Sequence, residues 1–188
     1  MATRAPVKKS ATAKKAPAAK KTASGKDAVD LLDADHKAVK KMFKDFELLT
    51  QSRSKSAVGK KRELADQICM ELTVHATLEE EIFYPAARGA IKDNPLINEA
   101  TVEHASAKEL IAQIKSMDAG DEMFDAKVTV LGEYIDHHVK EERTEMFPKM
   151  RKTKLDLVAM RRELEMRKQE LMGQSESSSL ELEEEASD

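Results

Sequence analysis

The chain has 188 residues, of which 40% are hydrophobic and 36% charged, and its formal net charge at pH 7 is -3. This length favours one domain with extensions, and a segment of about 18 apolar residues that would encode a membrane span is absent. A single cysteine, Cys69, excludes an internal disulfide and a thiolate metal cluster. The basic amino terminus lacks the apolar segment of a secretion signal, so we expect a cytoplasmic protein.

Residues 1–26 are the first segment in chain order. They hold seven lysines, one arginine and two prolines but no acidic residue, a composition typical of a disordered basic tail. The lysine pairs, separated by Ala, Pro, Ser and Thr, resemble those of linker-histone tails and would contact DNA phosphates without sequence specificity. A solubilising tail, or one folded back on the acidic carboxyl end, is the alternative.

The middle of the chain is predicted to be all-α, because it is rich in helix-forming residues and the whole chain is only 4% aromatic. Helix caps and stops divide it into five helices. The predicted ranges are 27–50 from an Asp27 cap, about 60–84 stopped by Pro85, 94–117 opened by Asn94 and Pro95, 121–147 stopped by Pro148, and about 154–172.

The first four helices, within residues 27–150, are expected to form an up-down-up-down four-helix bundle. Residues 151–172 add a C-terminal helix. Residues 173–188 hold six acids and no base, which predicts a disordered acidic tail. The fifth helix carries one apolar stripe, which would pack on the bundle or pair with a second copy in a homodimer: Leu157, Met160, Leu164 and Leu171.

The apolar seam of the second helix becomes polar in its middle. Its positions at helical spacing are Leu64, Ile68, Leu72, His75, Glu79 and Ile82. A buried carboxylate without a partner is strongly unfavourable, so something must neutralise it. The same pattern returns in the fourth helix, where HVKEERTEMFP from His138 matches HATLEEEIFYP from His75.

Each of the four helices places one histidine on its seam. These histidines lie nine or ten residues from the same end of the bundle, so a rise of about 1.5 Å per residue puts all four at one level. Two glutamates follow their histidines by one helical turn. A lone seam histidine is more often bonded to a backbone carbonyl, but a layer of six such residues indicates a metal centre. The predicted ligands are His36, His75, Glu79, His104, His138 and Glu142.

Four imidazoles and two carboxylates suit iron, manganese or zinc, and they exceed the capacity of one tetrahedral zinc ion. We expect two non-haem iron ions bridged by Glu79 and Glu142, with Mn or Zn as the alternatives. From chain order, we pair His36 with His75 on one ion, and the other two histidines, His104 and His138, on the second.

The remaining polar residues near this layer have other predicted roles. His137 points about 100° away from His138 and is expected to flank the site or be solvated, with a role as a ligand as the alternative. Glu80, Glu81 and Glu141 are interpreted as solvated charges. Asp35 and Glu103 either hold a ligating histidine or lie on the surface.

Over residues 27–150 the sequence resembles the hemerythrin-like family, specifically the bacterial HHE cation-binding domains. The resemblance is carried by DH at 35–36, HATLEEEIFYP, EH at 103–104 and HVKEERTEMFP. It implies a di-iron centre in a protein that binds oxygen, senses oxygen or nitric oxide, or handles iron.

The chain departs from the oxygen-carrying hemerythrins at two places. Those proteins have a second histidine one turn away on the third helix, where this chain has Ala100 and Lys108. They also have an aspartate five residues after the fourth-helix histidine, where this chain has Glu142 four residues after His138. These differences argue against simple oxygen transport.

We therefore expect an iron-binding module that senses or reacts with oxygen or nitric oxide, or handles iron. One alternative is an oxidase- or peroxidase-type di-iron enzyme, although no substrate pocket, nucleophile or electron-transfer partner is evident in the sequence. The other alternative is a nucleic-acid-associated protein that acts through residues 1–26.

Overall fold

The computed structural model describes residues 26–52, 54, 56–92 and 94–185, with side chains as far as residue 174. The predicted basic tail, apart from Lys26, therefore lies outside the described residues. Within them the chain forms α-helices and π-helical turns and no strand, which confirms the all-α class. The α-helices are α1 (Ala28–Thr50), α2 (Ala57–Leu78), α3 (Tyr84–Ala90), α4 (Asn94–Lys115), α5 (Phe124–Glu141), α6 (Phe147–Met150) and α7 (Leu157–Glu185).

Four helical rods form the bundle. Helix α1 packs against α2 and α5, and α4 packs against the same two helices. A capping box starts α1, because the Asp27 side chain accepts a hydrogen bond from the Asp30 backbone N–H and the Asp30 side chain accepts one from the Asp27 N–H. None of the helices in the described ranges is both long and apolar enough to cross a bilayer.

The expectation that Pro85 and Pro148 end their helices is wrong. A π-helical turn, Glu79–Phe83, joins α2 to α3, and a second one, Glu142–Met146, joins α5 to α6. The backbone N–H of Tyr84 bonds to the carbonyl of Glu79, five residues back, and Phe147 does the same with Glu142. A proline in a regular helix collides with the carbonyl four residues before it. The wider π turn moves that carbonyl aside, so each helix continues past its proline.

The core consists of two apolar clusters, one toward each end of the bundle. The first includes Val29, Leu32, Leu78, Phe83, Ile97, Met146, Met150 and Leu164. The second includes Val39, Phe46, Ile68, Leu72, Ile111, Ile114, Phe124 and Leu131. Cys69 is buried in the second cluster, where burial above all raises the pKa of its thiol to about 11, so it is a packing residue rather than a reactive one.

Helix α7 packs along the outside of the bundle against α1 and α2. Met160 and Leu164 are buried in the first cluster, and Leu157 and Leu171 lie partly buried against it. The predicted apolar stripe is therefore covered by the bundle of the same chain. The helix also runs beyond the predicted end at Met172 to Glu185, so residues 173–185 are helical rather than a disordered acidic tail. This stretch contains no proline and holds five glutamates, which favour helix.

Candidate metal centre

All six predicted ligands lie together between the two apolar clusters, and all six side chains are buried. Their nitrogen and oxygen atoms form two groups, within each of which the candidate ligand atoms lie within 4.8 Å of one another. Glu79 belongs to both groups. The first group contains His36, His75, Glu79 and Glu142, and the second contains Glu79, His104 and His138.

The histidines meet in two pairs across helix boundaries. The Nε2 atoms of His36 and His75 are 2.8 Å apart, and those of His104 and His138 are 3.2 Å apart. These are the pairs expected from chain order. Because such a contact holds only one proton between two ring nitrogens, at least one Nε2 of each pair carries no proton and is a potential metal ligand.

The two glutamates connect the histidine pairs. Glu79 Oε1 lies 3.2 Å from His75 Nε2, and its Oε2 lies 3.3 Å from His104 Nε2. Glu142 Oε2 lies 3.3 Å from His36 Nε2 and 3.7 Å from His138 Nε2. Each carboxylate therefore faces one histidine of each pair.

The chemistry of these residues fits metal ions. Both oxygens of Glu79 and the Oε2 of Glu142 are buried without a hydrogen-bond partner, which is costly unless a cation satisfies them. Two donors at a bond length of about 2.1 Å from one ion are themselves about 3.0 to 3.4 Å apart, and most of the nitrogen–oxygen separations here fall in or near that range. The set of donors exceeds one tetrahedral site and suits two ions.

The electrostatics of the centre show how strongly the carboxylates attract positive charge. Burial lowers the pKa of His75, but the charge of Glu79 and the carboxylate of Asp35 outweigh it and raise the pKa to about 10. Burial is likewise outweighed at His138, whose pKa rises to about 9 beside Glu142 and Glu103. At Glu79 burial acts to raise the pKa, but the neighbouring histidines hold it well below its usual range.

Three carboxylates on neighbouring helices face the outer nitrogens of the histidines. The Nδ1–H of His138 donates to Glu103 Oε2 at 2.8 Å, and that of His104 donates to Glu80 Oε1 at 3.0 Å. Asp35 Oδ2 lies 3.7 Å from His75 Nδ1. The two hydrogen bonds fix which ring nitrogen of His138 and of His104 faces the centre.

The interpretation of Glu80 as a solvated charge is wrong. Its carboxylate bonds both His104 and the ammonium of Lys108, with the two lysine contacts at 2.6 and 2.7 Å. Helical periodicity identifies only the residues on the core-facing side of one helix. The Glu80 side chain instead contacts the neighbouring helix α4. Glu81 also has a partner, since it pairs with Arg167 on α7.

His36, like His75, lacks the Nδ1 hydrogen bond that His104 and His138 make. Its Nδ1 is buried without a hydrogen-bond partner. Its ring stacks on Phe147, with 5.7 Å between ring centroids and an interplanar angle of 8°. Packing therefore orients this imidazole, and the residue that packs on it is the one before Pro148.

Tyr84 is a residue of the centre that sequence reasoning missed. Its hydroxyl donates to Glu142 Oε1 at 3.0 Å and lies 3.3 Å from His104 Nε2. The first π turn explains why Tyr84 was not predicted, because its one extra residue rotates the core-facing side of the helix and turns Tyr84 inward. The predicted seam residue Ile82 is only partly buried as a result. The available signal was the aromatic residue before each proline of the repeated segments.

A small cavity adjoins the four histidines on one side. Its volume is about 20 Å³, enough for one molecule of the size of water. Its walls are mostly apolar and come from Val39, Leu72, Ala76, Ala107, Ile111, Ile135 and Val139. A small uncharged molecule beside the histidines would fit this space.

Comparison with known proteins gives three findings. The family profile "Hemerythrin HHE cation binding domain" matches residues 27–176. A DNA nickase of Nostoc sp. is 30% identical over 122 residues, which are 65% of this chain and 33% of that protein, so the chain spans about a third of the length of this relative.

The third finding concerns the fold. A crystal structure of a hemerythrin HHE cation binding domain-containing protein from Mycobacterium kansasii matches with a TM-score of 0.65 at 18% identity, covering 80% of this chain and 90% of that one. This likeness shows the same helical bundle. The matched family profile, which covers more than half of the chain, establishes that the chain belongs to the hemerythrin HHE cation-binding domain family.

Proposed function

We propose that the protein holds two non-haem iron ions in this centre and uses them to sense or react with oxygen or nitric oxide. The observation that carries the proposal is the position of Glu79, whose two oxygens face His75 and His104, one from each histidine pair. A carboxylate in that place is suited to bridge two ions. Bound iron would supply reversible electron transfer and affinity for a diatomic gas.

The protein side chains leave room for an external ligand. One group would offer an ion two imidazoles and one oxygen each from Glu79 and Glu142, and the other would offer two imidazoles and one oxygen of Glu79. Both sets are smaller than the six donors that octahedral iron accepts. Oxygen carriers have a second histidine one turn away on the third helix of the bundle, but neither position one turn from His104 offers a ligand in this chain. Ala100 is a buried apolar residue, and the ammonium of Lys108 is held by Glu80.

The surroundings of the centre favour a small uncharged ligand. The cavity beside the histidines is small and has apolar walls, so it would admit a diatomic gas and exclude larger or charged molecules. Tyr84 places a hydroxyl proton next to Glu142. Burial first, and then the charges of Glu79 and Glu142, raise the pKa of Tyr84 well above its usual range, so this phenol stays protonated and can donate a hydrogen bond.

Anaerobic spectroscopy tests the proposal. Protein loaded with two ferrous ions per chain is mixed with oxygen or nitric oxide, and absorption spectra are recorded before and after. A new absorption band with either gas supports the proposal. No spectral change with either gas, in protein shown to contain two irons, contradicts it and leaves iron storage or a structural role.

A second candidate function is DNA association, which one finding favours. The relative from Nostoc sp. is named a DNA nickase, and residues 1–26 of this chain carry eight positive charges and no acid. Contact with phosphates through such a segment depends steeply on salt. Deletion of residues 1–26 should abolish retention on DNA at low salt while leaving the iron content intact. A full-length chain that neither binds DNA nor nicks supercoiled plasmid rules this candidate out.

A further inference from the structure

A second group of possible metal ligands lies on the surface beside the buried centre. It consists of Glu103 on α4 and of His137 and Glu141 on α5, whose candidate ligand atoms all lie within 4.8 Å of one another. The His137 side chain is 62% exposed, and those of Glu103 and Glu141 are 23% and 28% exposed. Solvent therefore reaches all three side chains.

The distances within this group are unsuited to hydrogen bonds. His137 Nε2 lies 3.5 Å from Glu103 Oε1 and 3.6 Å from Glu141 Oε1, beyond the usual hydrogen-bond range of about 2.7 to 3.2 Å. Two donors of one tetrahedral metal ion with bonds of about 2.1 Å are about 3.4 Å apart. The observed separations of 3.5 and 3.6 Å are closer to the distance between two ligands of one metal ion than to a hydrogen-bond distance.

The charges around this group are also unbalanced. Other acids near the centre have a lysine or arginine partner, as Asp35 has Lys168 and Glu80 has Lys108. In the part of the chain that the structure describes, Glu103 and Glu141 form ion pairs only with His137 and His138. Two carboxylates without a fixed cation, converging on one imidazole, make a site of net negative charge.

We propose that Glu103, His137 and Glu141 bind a third metal ion, of the divalent first-row transition-metal class. The imidazole favours such an ion over magnesium or calcium, which prefer oxygen ligands alone. The i, i+4 spacing of His137 and Glu141 places two donors on one helix face. Glu103 supplies the third donor from the facing helix and leaves positions for water in an open, exchangeable site.

Glu103 joins this surface site to the buried centre. Its Oε2 accepts the hydrogen bond from His138 Nδ1 at 2.8 Å, while its Oε1 faces His137. That hydrogen bond keeps the carboxylate in place whether or not the surface ion is bound. The role of the surface ion beside an iron centre rests on the proposed function, but the binding of the ion does not.

Cobalt binding tests the proposal. Full-length protein loaded with iron is dialysed against Co²⁺, and bound cobalt and iron are counted per chain. We expect one Co²⁺ beyond the iron, with the affinity lowered at least about tenfold by His137→Ala and by Glu141→Gln. Glu133→Gln is the matched control, because Glu133 lies one turn on the other side of His137 along α5 and should not matter. All three positions are solvent-exposed or partly so, so folding should survive.

Two results would overturn the proposal. One is that no Co²⁺ binds beyond the iron, and the other is that His137→Ala binds Co²⁺ as tightly as the native protein. A Glu79→Gln variant separates this proposal from the previous one. It is expected to lose buried iron yet still bind Co²⁺ with an affinity that His137→Ala lowers, so a failed iron centre would leave the surface site testable.

Discussion

The hydroxyl of Tyr84 donates a 3.0 Å hydrogen bond to Glu142 Oε1 across the interior of the bundle. The two residues come from repeated segments, since Tyr84 follows the first π turn and Glu142 begins the second. The bond occupies one oxygen of Glu142 and leaves Oε2 facing His36 and His138. Tyr84 therefore orients a candidate bridging carboxylate.

Replacement of Tyr84 by phenylalanine should destabilise the metal-free protein. The change leaves a buried carboxylate oxygen without its donor, which costs about 1 to 3 kcal/mol. Urea unfolding of metal-free protein measures the effect. Tyr134→Phe is the control, because Tyr134 is 50% exposed. Equal unfolding free energies for the two variants would contradict the orienting role of Tyr84.

The two adjacent histidines of α5 should differ in their effect on iron. His138 is buried beside Glu142, whereas the side chain of His137 is 62% exposed. We expect His138→Ala to lower the iron content of the buried centre and His137→Ala to retain it. Metal analysis of both variants, after removal of loosely bound ions by a weak chelator, makes the comparison. The reverse pattern would show that His137 is the ligand.

The stability of the metal-free protein should fall as the pH rises. The folded-state pKa values of His75 and His138 are raised to about 10 and about 9, from an ordinary value of 6.5. A raised pKa means that the folded state binds protons more tightly than the unfolded state. The stabilisation is therefore complete below pH 6.5 and is lost as the pH rises through about 9 to 10.

Metal should reverse this dependence, because a cation binds the deprotonated imidazoles and must displace their protons. We expect iron-loaded protein to keep its thermal stability above pH 8 and to lose metal at acid pH. Circular dichroism melts of both forms between pH 5 and 10 provide the measurement. Parallel curves for the two forms would mean that metal and protons do not compete for these histidines.

Helix α7 should contribute to the stability of the bundle. Leu164 is fully buried in the first apolar cluster, while Met166 on the same helix is 61% exposed. Leu164→Ala should cost about 2 to 5 kcal/mol, and Met166→Ala should cost little. Chemical denaturation of the two variants tests this, and a small cost at Leu164 would mean that α7 is not part of the cooperative fold.

Much of the fold follows from helical periodicity and capping. The bundle, the four seam histidines and the two glutamates one turn later are all visible at intervals of three and four residues. The spatial pairing of His36 with His75 follows from chain order, because consecutive antiparallel helices are neighbours in a bundle.

Helical periodicity in the sequence could not predict the two π-helical turns. Pro85 and Pro148 are ordinary helix stops in a sequence, yet a single extra residue before each lets the helix pass. That extra residue also rotates the seam, which hid the inward position of Tyr84. Contacts between side faces of neighbouring helices, such as Glu80 with His104, likewise depend on packing that no single-helix pattern contains.

The iron content of the Glu79→Gln variant tests the central claim most directly. We predict two irons per chain in the native protein and clearly fewer in Glu79→Gln, because this carboxylate faces both histidine pairs. Glu81→Gln, the same change two residues away at a side chain paired with Arg167 on the surface, should keep both irons. Two irons in Glu79→Gln, or none in the native protein after anaerobic loading with ferrous iron, would contradict the account.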